Sequence, residues 1–374
     1  MYQFPKNRWT ELADELGRTF AARCATHDDT DAFVAENYEV LKARKVIAAA
    51  VPEELGGGGA SVADVAGMLR TLAHHCSSTA LALSMHTHLV ATAAWRWKNQ
   101  NAPVDGLLKR VAGEDLVLVS TGGADWLLGS CKATKAEGGY RVTGRKIFCS
   151  GSPAGGLMLT TAVVDDPVEG ATVLQIAIPT SAAGLKIEND WRALGMRGTG
   201  SHDISLDNVF VPDAAVALRR PSGKWHPVVH IAAMIALPVF NAVYVGVAEA
   251  ARDLALEAAK KRKDDRAVQA HAGEMENELT SAQLALARMV DIAMTMKPGP
   301  DTTAEVMCCR AVLGRGARAT VDKAMDLAGG GSFLRKNALE RLFRDVQGVR
   351  YHPLQEKPQN ILVGRFDLGL PLDD

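Results

Sequence analysis

Apolar residues near the start of the chain recur at helical spacing. Within Arg8-Trp-Thr-Glu-Leu-Ala-Asp-Glu-Leu16 they gather on one face of a 3.6-residue period, which predicts a helix. Pro52-Glu-Glu-Leu-Gly-Gly-Gly-Gly59 breaks the pattern, because consecutive glycines destabilise a helix, and a loop is expected there. Ser61 is placed to cap a helix from Val62 to His74, its hydroxyl accepting from an N–H group that a helix start leaves free. Another apolar helix is expected from about Thr79 to Trp97. Residues 1–114 therefore read as a helical domain.

The pattern changes near Asp115. Leu116-Val-Leu-Val-Ser120 is a short β-rich run, and Lys135 to Phe148 reads as strand, turn and strand around Gly138-Gly139. Leu157–Val164, Thr172–Ile178 and Ile204–Val211 supply further strands, so residues 115–222 are expected to form a small β-barrel or sandwich. After Trp225-His-Pro227 helical spacing returns. Helices are expected at Ile231–Lys261, His271–Met294, Thr303–Ala328 and Leu339–Val346, with breaks at Lys297-Pro-Gly-Pro300 and Gly329-Gly-Gly331. Residues 223–374 thus read as a helical bundle, and the whole chain as an α+β protein in the order helical, β, helical.

Composition narrows the function. The 374 residues carry a net charge of -1, which offers no general attraction to nucleic acid or an anionic membrane. No uninterrupted apolar run is long enough to span a bilayer, and the N-terminal stretch has no basic-then-apolar signal pattern, so a cytoplasmic location is expected. The six cysteines show no CxxC pair and are expected to be reduced thiols. His226 and His230 lie one helical turn apart without a third ligand, so no metal site is expected.

Several short motifs follow one another in a telling order. Pro52-Glu-Glu-Leu-Gly-Gly57 comes first, then Val119-Ser-Thr-Gly122 and Gly144-Arg-Lys-Ile-Phe-Cys-Ser-Gly151. Trp191-Arg-Ala-Leu-Gly-Met-Arg-Gly-Thr-Gly-Ser-His202 leads to Asp207-Asn-Val-Phe-Val-Pro212. Ala324-Met-Asp-Leu-Ala-Gly-Gly-Gly-Ser-Phe333 and Arg341-Leu-Phe-Arg-Asp345 close the series. Together they resemble the acyl-CoA dehydrogenase superfamily across the whole chain. The resemblance implies an N-terminal helical domain, a middle β domain and a C-terminal four-helix bundle.

It also implies a flavin. Thr121 and Ser150 would offer hydroxyl donors to the polar edge of the ring, and Phe148 would cover one face. Arg262 matches an arginine that reaches FAD across a subunit boundary, and Gly329 and Gly330 would line the adenine-side turn. FAD is the implied cofactor. FMN is the alternative, because Asp264 and Asp265 add negative charge where the family has an uncharged pair. His86, His88, Thr199 and Tyr244 would face the substrate.

The reaction is less direct. Desaturating an acyl thioester needs a base for the α-proton, usually a glutamate placed eight residues after the Arg-Asp marker. That position holds Pro353, and the alternative family position, on the long C-terminal helix, holds about Ala236. Two nearby groups remain: Glu356, and His352, which resembles the loop histidines of flavin monooxygenases built on this fold. Three readings follow. One is an acyl-CoA dehydrogenase passing electrons to an electron-transfer flavoprotein. Another is a monooxygenase of an aromatic or amine compound, supplied by a flavin reductase. The third is a flavin-binding scaffold without turnover. The resemblance also implies a homo-oligomer, dimer or tetramer.

Overall fold

A computed structural model of the protein describes residues 6–123 and 125–373. The first five residues of the stretch read for a targeting signal lie outside the described part.

The N-terminal domain contains α1 (Arg8–Ala21), α2 (Cys24–Thr30), α3 (Ala35–Ala43), α4 (Val62–His75), α5 (Ser77–Gln100) and α6 (Asp105–Glu114). Ser61 caps α4: its hydroxyl accepts from the Asp64 N–H at 3.1 Å, and the Asp64 carboxylate accepts from the Ser61 N–H at 2.9 Å. The glycine loop before it runs tightly against its own chain. A Cβ on Gly57 would come within 2.3 Å of the Val51 carbonyl oxygen, so that position admits only glycine. The short helices α2 and α3 were not expected, because they carry too few turns for a period to show.

The middle domain is one sheet built from β1 (Leu118–Ser120), β2 (Lys132–Ala136), β3 (Gly139–Cys149), β4 (Leu157–Asp166), β5 (Gly170–Pro179), β6 (Leu185–Ile187), β7 (His202–Pro212) and β8 (Val216–Pro221). The strand order is β6-β7-β3-β2-β4-β5-β8, with β1 parallel to β4. The expected bend at Gly138-Gly139 is the β2–β3 hairpin, in which Ala136 pairs with Gly139. Val142, Met158, Leu174, Ile204 and Val209 form a separate core beneath this sheet. Strand β8 escapes a hydrophobicity reading because it carries Arg219, Arg220 and Pro221.

The C-terminal domain has α7 (Pro227–Ala259), α8 (Arg266–Thr295), α9 (Pro300–Ala328), α10 (Ala338–Val346) and α11 (Glu356–Asp367). Contrary to the expectation that no run is long enough, α7 passes by length and composition as a membrane span, with a window of mean hydropathy 2.0. That window is 89% buried, beneath α4, α5, α8 and α9, so it serves as the central helix of the core. Helix α11 was unforeseen; it buries little beyond Gln359 and Leu362 against α9.

One dipeptide on α10 ties the three domains together. Arg344 grips both carboxylate oxygens of Asp28 on α2, at 2.9 and 2.5 Å, and donates to Glu340 and to the Leu194 carbonyl. Asp345 accepts from the Ser77 hydroxyl at the start of α5 and from the Met196 N–H at 2.5 Å. Burial pushes the Asp345 carboxyl up, against the pull of those two hydrogen bonds. A Cβ on Gly195 would lie 2.3 Å from the Arg344 carbonyl oxygen, so the middle-domain loop meets α10 backbone to backbone.

Candidate active site

The strand β1 ends at Ser120, and the loop that follows is held from beneath. Lys146, on β3, has a side chain 1% exposed, and its ammonium donates to Asp125 at 2.6 Å and to Ser130 at 2.8 Å. Thr161 on β4 adds a 2.6 Å hydrogen bond to the same carboxylate oxygen. From β8, buried Arg220 donates to the carbonyls of Asp125 and Leu127 at 2.7 and 2.9 Å. Sequence reasoning passed over Asp125 and Arg220. A lysine within an otherwise β-patterned strand was the available signal, because a buried ammonium requires a partner.

The upper side of this loop meets the segment after α10. A Cβ on Gly123 would lie 3.1 Å from Cγ of Pro353, so the two loops touch where the family's glutamate would stand. Beside Pro353, Nε2 of His352 lies 2.6 Å from the Tyr244 hydroxyl on α7. Phe240, one turn earlier on α7, stacks on the imidazole with centroids 4.8 Å apart and planes at 26°. Buried Arg310 of α9 donates to the carbonyls of Val349 and His352, fixing the loop from behind. Burial, helped by Arg310 and His88, lowers the His352 pKa to about 3, so the ring is neutral at ordinary pH. Burial pushes the Tyr244 phenol up, so it stays protonated. Neither Phe240 nor Arg310 was anticipated, although an arginine inside the Val306–Leu313 run of α9 marks a buried cation.

Helix α5 contributes His88, whose Nε2 is 3.0 Å from the Ser120 hydroxyl. Burial lowers its pKa to about 4. His86 turns the other way and corrects the expectation that it faces the substrate. Its Nδ1 accepts from the Leu118 N–H at 2.9 Å and its Nε2–H donates to the Ile47 carbonyl at 2.9 Å, so both ring nitrogens are spent inside the core. Thr199 is likewise fully buried and offers no surface to a ligand.

Thr199 instead orders a chain of hydroxyls. Its proton goes to the Met196 carbonyl at 2.8 Å, so the 2.6 Å contact to Ser201 is donated by Ser201. Ser201 then has no proton left, and the 2.7 Å contact between Ser150 and Ser201 is donated by Ser150. The Thr121 hydroxyl also gives its proton away, to the Leu159 carbonyl at 3.2 Å. Both residues were expected as donors to a ring edge; the structure leaves them lone pairs only. Ser120 is the last paired residue of β1.

Phe148 sits at the end of β3 with 57% of its surface exposed, meeting Trp191 edge-on at 5.8 Å. The turn that follows rests against β1: a Cβ on Gly155 would run into the Val119 side chain. Farther away, Arg262 donates to the Leu327 carbonyl at 2.6 Å, beside Gly329, Gly330 and Gly331 at the end of α9. Asp265 caps α8 by accepting from the Ala267 N–H at 2.7 Å. Glu356 does not reach the Tyr244–His352 pair. It lies in the first turn of α11, about half exposed, and pairs with Arg315 at 3.1 Å. That corrects its expected place among the catalytic groups.

The arrangement matches known proteins over the full chain. The models of the acyl-CoA dehydrogenase N-terminal, middle and C-terminal domains match residues 7–102, 120–209 and 238–356. YdbM of Bacillus subtilis, named only as a candidate acyl-CoA dehydrogenase, is 29% identical over 93% of both chains. The amino sugar nitrososynthase RubN8 of Streptomyces rubradiris is 29% identical over 93% of this chain and 86% of its own. The structure of KijD3 in complex with FMN and a dTDP-linked amino keto sugar superposes with a TM-score of 0.89 at 24% identity, covering 99% of this chain and 96% of that one. With all three domain models matched in order, the chain belongs to the acyl-CoA dehydrogenase family.

Proposed function

We propose that this protein is a flavin-dependent monooxygenase that works with reduced FMN delivered by a separate reductase. The observation that carries this reading is the neutral His352–Tyr244 pair beside Pro353, where a desaturase needs a carboxylate. The one carboxylate nearby fails on geometry, because Glu356 is tied to Arg315 on the surface, and the alternative family position holds Ala236, which has no titratable group.

The residues suit a flat ring with a polar edge. The exposed Phe148, edge-on to Trp191, offers aromatic cover, and β1 lies against the turn that follows Ser150. FMN fits better than FAD. Arg262 already donates to a backbone carbonyl, and Asp264 and Asp265 place negative charge beside it, which opposes a second phosphate. Reduced FMN, when bound, activates dioxygen for insertion of one oxygen atom into the substrate.

The protein's own part is to hold hydrogen bonds in a pocket of low polarity. The Tyr244 O–H, the more acidic partner, donates to Nε2 of His352, which puts the imidazole proton on Nδ1. Losing that proton would leave a buried imidazolate or tyrosinate, and burial disfavours both. His352 therefore acts as a fixed donor that steadies a reacting oxygen, with Phe240 setting the plane of the ring. His88, neutral and anchored to Ser120, faces it from α5. The reading includes a homo-oligomer, dimer or tetramer.

The test is a pair of assays on the purified protein. FMN reduced by an added reductase should give oxygen uptake coupled to oxidation of an aromatic or amine compound. Acyl-CoA added without oxygen should leave bound oxidised flavin unbleached. Bleaching by acyl-CoA would restore desaturation and remove the monooxygenase.

A further inference from the structure

Helices α5 and α7 pack against each other, and the seam between them leads outward from the His352 end. His88 faces that end. His88, Thr92 and Arg96 are spaced i, i+4 and i+8, and all three are only partly buried, so one stripe of α5 lines the seam. Across it, Ala232, Ala236 and Phe240 form the matching stripe of α7. The inner half is therefore apolar and aromatic.

The outer end differs. Thr92 Oγ1, Arg96 Nε and Trp225 Nε1 are all buried atoms with no hydrogen-bond partner. Trp225 stands just before α7, stacked on His230 with centroids 5.2 Å apart and edge-on to Trp126 at 5.9 Å. Arg96 comes close enough to His226, the cap of α7, to lower the basicity of that ring, after burial and Arg220. The Arg96 guanidinium has no carboxylate partner among the described residues. Among the described residues Arg96 Nε and two further groups able to donate thus stand at this end without an acceptor, and leaving such donors dry is costly unless a ligand supplies acceptors.

We propose that the outer end of the α5–α7 seam recognises an oxyanion, a carboxylate or a phosphate, carried by the substrate, and that Arg96 is the residue that selects it. Eight residues of helix separate His88 from Arg96, about 12 Å of rise. The substrate is then an elongated molecule whose apolar, oxidised end lies by Phe240 and His352 and whose anionic end lies by Arg96. This rests on the reading that the His352 end is where oxidation takes place. The guanidinium fork suits both anions, because each presents paired oxygens.

Calorimetric titration of the intact protein tests it, without turnover. The probes are indole-3-butyrate, its neutral amide, and thymidine diphosphate, with reduced FMN titrated in parallel. Wild type should bind at least one of the two anions, and indole-3-butyrate more tightly than its amide if the carboxylate is the one recognised. Arg96→Met should weaken the recognised anion about tenfold or more and leave the amide unchanged, while Arg96→Lys should fall between. Whichever anion depends on Arg96 identifies the source of the charge. Binding of neither anion, equal binding of acid and amide with no Arg96 effect on thymidine diphosphate, or an Arg96→Met protein with unaltered affinities would overturn the proposal. Should Arg96→Met fail to fold, wild type alone decides: higher ionic strength should weaken the anion and spare the amide. Failure to bind reduced FMN would instead remove the monooxygenase reading, whatever the anions do.

Discussion

The Tyr244 hydroxyl and Nε2 of His352 are 2.6 Å apart, across a contact between a core helix and a loop from the far end of the chain. The phenol chooses the imidazole tautomer, and the choice leaves Nδ1–H as the outward donor. Tyr244→Phe keeps the packing and removes the proton. Product formation should fall at least about tenfold, because the ring loses both its fixed tautomer and its anchor, while the protein loses about 1 kcal/mol of stability. Reduced-flavin affinity should not change. Steady-state rates and a flavin titration check both parts.

His352→Ala and Glu356→Gln separate the two groups that the sequence offers. Removal of the imidazole should cost about a hundredfold or more in rate. Glu356→Gln should leave the rate alone and shift stability by less than about 0.5 kcal/mol, because an exposed ion pair contributes little. A large loss in the glutamine variant would mean that the carboxylate reaches the pocket during turnover.

Acid should destabilise this protein earlier than carboxylate titration alone would. His86, His88 and His352 have pKa values lowered by burial from 6.5 to about 4, 4 and 3. Between those values and 6.5 the unfolded chain binds protons that the folded rings refuse, so stability falls as pH drops through this window. Above it these groups contribute no slope. Each ring adds at most about 1.4 kcal/mol per pH unit. Thermal melts at pH 7, 6 and 5 should show the decline, and His88→Asn should make it shallower.

The loop beyond β1 depends on one buried ion pair. Lys146→Met leaves Asp125 without its cation and should cost about 3–5 kcal/mol in urea unfolding. Lys146→Met combined with Asp125→Asn should recover part of that loss. Reduced-flavin affinity should drop in the single variant more than in Tyr244→Phe, because the loop after Ser120 loses its support.

The three-part order and most long helices were legible because apolar residues repeat over many turns, as in Val62–His75 and Thr303–Ala328. Strand β6, with three residues, and the charged β8 carry no period to read. The site was legible where a residue type names its own chemistry, as His352 and Pro353 do. His86 and His88 look alike in sequence, and only the Ile47 and Leu118 backbone shows that one is spent in the core. Ser150 and Thr121 show a further limit: sequence supplies a hydroxyl, and only three-dimensional neighbours say where its proton points. Arg96 was invisible for a similar reason, since an arginine near a helix end is usually solvated, and its missing partners are a property of the fold.

The grip of Arg344 on Asp28 and of Asp345 on Ser77 and Met196 bears on how molecules enter and leave. A bolt through all three modules forbids them to swing apart, so passage to the interior cannot run through a clamshell opening. Any route to the interior is then left to segments that lie clear of the bolt.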